Sequence, residues 1–242
     1  MIAKLWTSLL VAILCQSTAC AEGLLFQLPE DGAWVSYDID AKAINPDGTD
    51  VALIGTLTVS SVGKVKSGGE MCRWIEIVTD AKRAGEPFVD VDKLLIPERH
   101  LGKGKDPLAH VIKWWTQHSM HDGMPKEVPL KPAPSEGHIQ KLRPLLHAPY
   151  QVSRGLDPAT VDGKLGDLRC KGVSAKETSD AMGASFESTF TIRTHEKVPF
   201  GVVSWELDLR VSRNGQPLGR SQMKLKAAAT GLNRKSKLPD QQ

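Results

Sequence analysis

The sequence is poor in several features that usually reveal a function. Only 5% of its 242 residues are aromatic, it has four cysteines, and its formal net charge is +3. Its basic residues are scattered except near the C-terminus, so they form no electrostatic footprint of the kind that binds nucleic acid. We therefore expect no nucleic-acid partner.

The motifs of common enzyme classes are also absent. There is no Gly-x-Ser-x-Gly sequence, which leaves the usual serine hydrolase arrangement unsupported. The Gly/Lys loop at 102–105 lacks the spacing and the closing Lys-Ser/Thr pair of a phosphate loop. Residues 45–50 resemble part of a calcium loop, but Ala43 and Ile54 stand where the first and last ligands belong. We expect no catalytic residue, no cofactor and no metal.

The group closest to a metal site is His118, His121 and Asp122. Two histidines three residues apart can bind a metal when both lie on one helical face. The protease pattern, with two histidines four apart and a glutamate between them, is absent. We interpret the group as an exposed, polar helix end, and a metal site is the alternative.

The N-terminus has the pattern of an export signal. Lys4 precedes an apolar run at 5–14, and Ala19-Cys20-Ala21 supplies the small residues that signal peptidase recognises. The run is too short to span a bilayer as a stable helix. We predict a signal peptide at 1–21 and export to the periplasm or the extracellular space. A buried N-terminal helix is one alternative.

A second alternative for the N-terminus is lipidation at Cys20. Small residues precede this cysteine, but Ser17 stands where lipoprotein signals usually carry leucine. A lipid would anchor the protein in the envelope, and we expect membrane contact only in that case.

Cleavage after Ala21 leaves Cys72 and Cys170. Because thiols in an oxidising compartment tend to pair, we predict a disulfide between them. It would close a loop of about 98 residues and contribute up to about 4–5 kcal/mol on the chain-entropy model. Two separate, buried thiols are the alternative.

Alternation of apolar and polar residues predicts a series of β-strands. Turn signals at 45–48 and at Asn214-Gly215 predict tight connections between neighbouring strands. The segment 71–78 is apolar at nearly every position, so it should be covered on both faces. The predicted strands lie near 33–40, 51–62, 71–78, 88–96, 168–173, 186–193, 203–211 and 223–227.

One helix is predicted after residue 105. Asp106 suits an N-cap and Pro107 the first helical position. Apolar residues then recur at helical spacing, so the helix should pack on a sheet face. Trp114 lies off this stripe and should cover a loop or line a ligand groove. The stripe consists of Leu108, Val111, Ile112 and Trp115.

These elements predict a mainly β (α+β) protein, with a curved antiparallel sheet or half-barrel and one helix packed across it. We expect a single domain at 22–232 with an irregular, proline-rich insertion at 119–160. Residues 233–242 should form a disordered, polar tail.

Two short segments resemble a pattern in uncharacterised secreted bacterial proteins. They are Leu168-Arg169-Cys170-Lys171-Gly172 and Val198-Pro199-Phe200-Gly201-Val202-Val203. The overall layout is similar to the lipoprotein-carrier half-barrels of the LolA/LolB kind, which hold acyl chains between a curved sheet and inner helices. The resemblance implies an apolar ligand, and it assigns no binding residue.

The expected function is that of an exported, non-catalytic binding module of the cell envelope, for an apolar or lipid-like ligand held between the sheet and the helix bearing Trp115. A structural or protein-interaction component of the envelope is the first alternative. The proline-rich segment 124–149 would then be the surface on which an envelope protein docks. A hydrolase is the second alternative.

Overall fold

Extended backbone accounts for nearly all regular structure in the protein. The computed structural model describes residues 23–45, 47–119, 123–130, 142–143, 145–146, 152–181 and 183–238. In this part of the chain, no helix has the length and apolar character needed to cross a membrane. The strands are β1 (Trp34–Ile44), β2 (Asp50–Ser67), β3 (Glu70–Arg83), β4 (Glu86–Pro97), β5 (Lys113–His118), β6 (Lys126–Glu127), β7 (Val152–Val161), β8 (Leu168–Ala181), β9 (Ala184–Thr194), β10 (Val202–Arg213) and β11 (Gln216–Gly231).

The eleven strands form one antiparallel sheet that is not closed. Its order is β6-β5-β4-β3-β2-β1-β11-β10-β9-β8-β7. Except for β6 and β7, which lie at opposite edges, strands that follow one another in the chain are neighbours in the sheet. Strands β1–β6 therefore form one meander and β7–β11 form another. The pairing of β1 with β11 joins the two meanders. The predicted antiparallel, β-rich class is confirmed.

Local turn chemistry explains the hairpins. Asn214 and Gly215 have φ values of 50° and 77°, as a two-residue turn between β10 and β11 requires. Between β1 and β2, the Asp47 side chain accepts hydrogen bonds from the backbone N–H (2.9 Å) and the hydroxyl (2.6 Å) of Thr49. The sequence predicts both turns, and the structure confirms them.

One face of the sheet, here called the core face, carries the main hydrophobic core. Alternate residues of β1 point into it, including Val35, Tyr37 and Ile39, as the sequence predicted. Chain outside the strands covers this face: the Leu24 N–H donates to the Leu145 carbonyl (2.6 Å), and Phe200 is buried nearby. The opposite face is called the outer face.

The predicted strand at 71–78 lies within β3 and is covered on both faces, as expected. Ile75 and Ile77 point into the main core. Glu76 and Val78 point to the outer face, where they are also buried. Burial on the outer face depends on chain after β11, because Leu238 packs against Val78.

A buried arginine fastens the start of the described chain to the sheet. The Arg73 side chain is 2% exposed and donates to Glu98 Oε1 (3.0 and 2.7 Å), the Pro29 carbonyl (3.0 Å) and Ser61 Oγ (2.7 Å). A buried charge without partners would cost several kcal/mol. The network therefore ties the residues before β1 to β2, β3 and the turn after β4.

The predicted helix after residue 105 is wrong. Pro107 precedes a single 3₁₀ turn at Leu108–His110, and residues 113–118 form β5 instead. The residues that follow the turn are largely β-branched or aromatic, and their preference for a pleated strand outweighed the helical spacing of the apolar stripe. The described residues 142–143 and 145–146 are α-helical and place Leu142, Leu145 and Leu146 in the main core. In the described part of the chain, no helix of seven or more residues packs across the sheet.

Two predicted irregular segments are also partly ordered. Residues 152–160 of the proline-rich insertion belong to the edge strand β7 (Val152–Val161), which tolerates Pro158 because an edge and a bulge need fewer ladder hydrogen bonds. Residues 233–238 of the predicted tail pack on the outer face, and Leu238 is 1% exposed. The predicted signal peptide lies outside the described residues.

We predict that Gly55→Ala destabilises the protein. A Cβ at Gly55 would lie 2.3 Å from the Asp80 carbonyl oxygen and 2.4 Å from the Ala81 Cα. These are backbone atoms of the paired strand β3, so the two strands must move apart. We expect a loss of about 1–3 kcal/mol in the free energy of unfolding, measured by urea denaturation. Thr56→Ala, at the next and exposed position, is the control. Equal unfolding midpoints for both variants would contradict the close packing.

Candidate functional site

A cluster of polar side chains lies on the core face of β4 and β5. The strands pair Asp90 with His118 and Asp92 with Thr116. These four residues share a face with the buried core residue Trp114, because side chains two apart in a strand point the same way. A polar group among core residues needs hydrogen-bond partners, so its geometry is informative. We call these four residues the polar cluster.

The polar cluster is a chain of hydrogen bonds. Asp90 Oδ1 lies 2.9 Å from His118 Nδ1, and His118 Nε2 lies 3.1 Å from Thr116 Oγ1. Thr116 Oγ1 lies 3.0 Å from Asp92 Oδ1, which also accepts from Trp114 Nε1 (3.1 Å). Asp92 and Thr116 are buried, whereas the Asp90 and His118 side chains are 18% and 24% exposed. Solvent therefore reaches the Asp90–His118 end of this series of hydrogen bonds.

The protonation of His118 decides the direction of these bonds. Thr116 has one hydroxyl proton, which it donates either to His118 Nε2 or to Asp92. With neutral His118 protonated on Nδ1 toward Asp90, Nε2 accepts the Thr116 proton. With doubly protonated His118, Nε2 donates to Thr116, and Thr116 donates to Asp92. The two hydrogen-bonding patterns of the cluster therefore differ by one proton on His118.

Apolar side chains continue the core toward one end of the sheet. At the end where β1 finishes and β4 begins, Leu53, Leu209 and Met223 pack against the main core and are only half-buried. Leu53 and Met223 pair with buried Ala41 from its two sides, and Met223 also pairs with buried Leu207. Leu209 lies two residues after Leu207 on the same face of β10. Asp90 lies in a ladder row with Thr79 and Leu57, two core-face positions deeper than Leu53. We call Leu53, Leu209 and Met223 the apolar rim.

The predicted metal group is only partly described. His118 is in the polar cluster, not at a helix end, and His121 and Asp122 lie outside the described residues. Within the described ranges, no three His, Cys, Asp or Glu residues are placed to hold a metal ion. The sequence could have revealed the Asp90–His118 pair only if residues 113–118 had been recognised as a strand next to β4.

The two tryptophans of the predicted helix have roles other than those expected. Trp114 is buried in the main core and hydrogen-bonded to Asp92, so it does not cover a loop. Trp115 points to the outer face, where it packs near Val78 and Val91. A ligand held between the core face and Trp115 is therefore not compatible with the fold.

The predicted disulfide between Cys72 and Cys170 is not supported. Both residues are buried free thiols. Five strands lie between β3 and β8 in the sheet, and Cys170 belongs to the main core whereas Cys72 does not. Each Sγ donates to the carbonyl two residues earlier, at 3.8 Å to Glu70 and 3.3 Å to Leu168. The alternative of two separate buried thiols agrees with this arrangement.

A charged groove of about 530 Å³ lies near the β10–β11 hairpin and was not anticipated from the sequence. Arg210 and Arg220 line it, together with Glu187. Arg220 donates to both carboxylate oxygens of Asp208 and thereby lowers the pKa of Asp208. Because Arg220 already has this partner, the groove offers less free positive charge than its arginines suggest.

Comparison with known proteins gives little further information. No family model and no curated protein matches the chain. A candidate lipoprotein from Parabacteroides distasonis is 8% identical over 87% of this chain and 100% of its own, with a TM-score of 0.35. A candidate exported protein with a YmcC-like fold from Bacteroides fragilis has the same identity and coverage and a TM-score of 0.33. A chain of the MucA/MucB complex of Pseudomonas aeruginosa is 7% identical over 81% of this chain and 88% of its own, with a TM-score of 0.14. At these scores, no conclusion about this chain follows, and a link to LolA/LolB-like carriers is not shown.

We predict two free, unreactive thiols in a chain that begins at residue 22. Burial raises the pKa of both thiols, and the Glu70 carboxylate raises the pKa of Cys72 further. A raised pKa keeps the thiol protonated, and the protonated form is a poor nucleophile. Ellman's reagent at pH 8 should react slowly with the native protein and release two equivalents after denaturation without reductant. If the denatured protein releases fewer thiol equivalents than a reduced control, the cysteines are paired and the disulfide prediction is correct.

Proposed function

We propose that the protein is an exported, non-catalytic module of the cell envelope that binds an apolar or lipid-like ligand at the apolar rim. Export is supported by the basic residue, apolar run and small-residue site in the first 21 residues. Ligand binding is supported by one observation: half-buried Leu53, Leu209 and Met223 extend the core to a place that solvent reaches. The polar cluster lies deeper on the same face.

The physical chemistry of the rim favours a long apolar ligand. Removing 100 Å² of apolar surface from water contributes about 2.5 kcal/mol. Association itself costs at least about 4 kcal/mol, so a ligand that covers only three side chains binds weakly. An acyl-like chain that lies along the rim buries surface of its own as well. Asp90 and His118 can then contact a polar group on the ligand.

We predict that Leu53→Glu weakens binding of a fluorescent fatty-acid probe, because a carboxylate on the rim must lose its hydration when the ligand binds. Ala52→Glu is the matched control: Ala52 is the preceding, exposed residue on the outer face, opposite Lys42 in the ladder. We expect at least a tenfold weaker affinity for Leu53→Glu and an unchanged affinity for Ala52→Glu. Circular dichroism checks that both variants are folded. Equal affinities, or no probe binding by the unmodified protein, would exclude the rim as a ligand site.

A second candidate function, that of a hydrolase, rests on the polar cluster. Asp90, His118 and Thr116 are aligned as an acid, a base and a hydroxyl, and the two distances lie in the range for hydrogen bonds. His118 Nδ1 faces Asp90 and Nε2 faces Thr116, so His118 takes a proton from a bound water only where that water replaces the Thr116 hydroxyl at Nε2. Thr116 is 5% exposed, which argues against its acting as a nucleophile.

For this second candidate, we predict that any esterase activity found in a substrate screen is lost in His118→Ala. Removal of a general base typically costs a factor of about 10²–10⁴ in rate. Asp90→Asn should lower the rate as well, because it removes the carboxylate that orients the imidazole. His195→Ala, at a histidine distant from the cluster, is the control. Full activity in His118→Ala would assign the activity elsewhere.

The protein-interaction alternative depends on the segment 124–149, much of which lies outside the described residues. Leu142 and Leu146 are buried on the core face, so they are not part of a docking surface. Met124 is exposed. A docking role for the remaining residues stays a prediction, and crosslinking in cells tests it.

A further inference from the structure

The residues after β11 cross the outer face along a single row of side chains. The ladder pairs Trp34 with Ser60, Ser60 with Glu76, Glu76 with Lys93 and Lys93 with Trp115. These five residues, on five adjacent strands, form a line perpendicular to the strands. We call them the outer row, and we call residues 234–238 the strap.

The strap makes side-chain contacts along the outer row. At its start, the Arg234 guanidinium lies 5.4 Å from the ring centroid of Trp34, and the Arg234 N–H donates to the Gly32 carbonyl (3.0 Å). At its end, Leu238 is buried between Val78 and Val91. Alternate strap residues face the sheet, whereas Lys235 and Lys237 are exposed.

Glu76 holds the middle of the strap. Its side chain has no exposed surface. It accepts hydrogen bonds from Ser236 Oγ (2.5 Å), from the Lys237 N–H (3.0 Å to each oxygen) and from the Leu238 N–H (3.3 Å). One carboxylate accepts hydrogen bonds from two successive backbone N–H groups and from a hydroxyl. This arrangement fixes the direction of the segment and the position of the serine.

The outer row and its neighbours therefore have the parts of a peptide-binding site. The Trp34 ring contacts a cation, and the buried Glu76 carboxylate accepts hydrogen bonds from a serine and two N–H groups. Val78 and Val91 form an apolar pocket for leucine. Recognition at every second residue is how extended peptides are read. Two buried polar atoms of the row, Ser60 Oγ and Trp115 Nε1, have no hydrogen-bond partner with the strap in place. An occupant with acceptors at these positions would satisfy them.

We propose that the outer row is a peptide-binding site for an extended segment of the pattern basic-x-Ser-x-aliphatic. The strap fills it within the same chain, and an exposed segment of that pattern on a partner protein competes for it. Displacement of the strap uncovers Val78, Val91 and the carboxylate of Glu76 together. The site lies on the outer face and does not depend on the function proposed for the core face.

The test uses the full chain with a weakened strap. An acceptor with Ser236→Gly and Leu238→Asp should bind a fluorescent synthetic peptide of residues 232–242, measured by fluorescence anisotropy. The unmodified chain should bind it at least tenfold more weakly, because its own strap fills the site. A peptide with Leu238→Asp should bind the acceptor at least tenfold more weakly, and one with Lys235→Ala within twofold of the original. Equal binding of the Leu238→Asp and unmodified peptides, or no binding to a folded acceptor, would overturn the proposal.

A second measurement needs no variant protein. Hydrogen exchange of the unmodified chain reports on the Lys237 and Leu238 amides, which Glu76 protects. Excess peptide of residues 232–242 should speed their exchange severalfold, because the free peptide replaces the strap. The Leu238→Asp peptide should leave the exchange rates unchanged. If neither peptide changes the rates, or both change them equally, the outer row does not recognise this pattern.

Discussion

The pairing of β1 with β11 is the constraint on which the rest of the structure depends. Each of the other strand pairings joins neighbours in sequence, and this one joins the first described strand to the last over eleven residue pairs. Tyr37 and Ile39 meet Ala227 and Leu225 across this ladder, so the core becomes continuous at the join. Without it, each meander would present an unpaired inner edge and half of a core. Such a long-range contact has a high cost in chain entropy before it contributes stability.

The apolar rim and the strap on the outer row both depend on the pairing of β1 with β11. The apolar rim combines Leu53 of the first meander with Leu209 and Met223 of the second, so it exists only when the two are paired. The strap follows β11 directly, and β11 lies beside β1, which places the strap within reach of the outer row. The polar cluster differs, because β4 and β5 alone supply its residues.

Sequence patterns predicted most of the strands but not their assembly. Alternation and turn residues located the hairpins, because these signals act between neighbours in the chain. Nothing in the alternation of β1 specifies β11 as its partner. The helix predicted around 108–115 is wrong for a related reason. The apolar residues there recur at i, i+3, i+4 and i+7, which fits a helix. Trp114, Thr116 and His118 fit one face of a strand equally well. Missing that strand concealed the Asp90–His118 pair. Glu76 stood out in an apolar strand, but its partners are about 160 residues away.

The strap also has a consequence for the order in which the chain is made. β11 and the strap come after every other described strand in the sequence. Before they are synthesised, the first meander lacks a partner along β1 and has no cover over the Glu76 carboxylate. One short stretch of chain closes both, on two different surfaces of the same meander. The first meander therefore has a paired β1 edge and a covered Glu76 carboxylate only once β11 and the strap have been added.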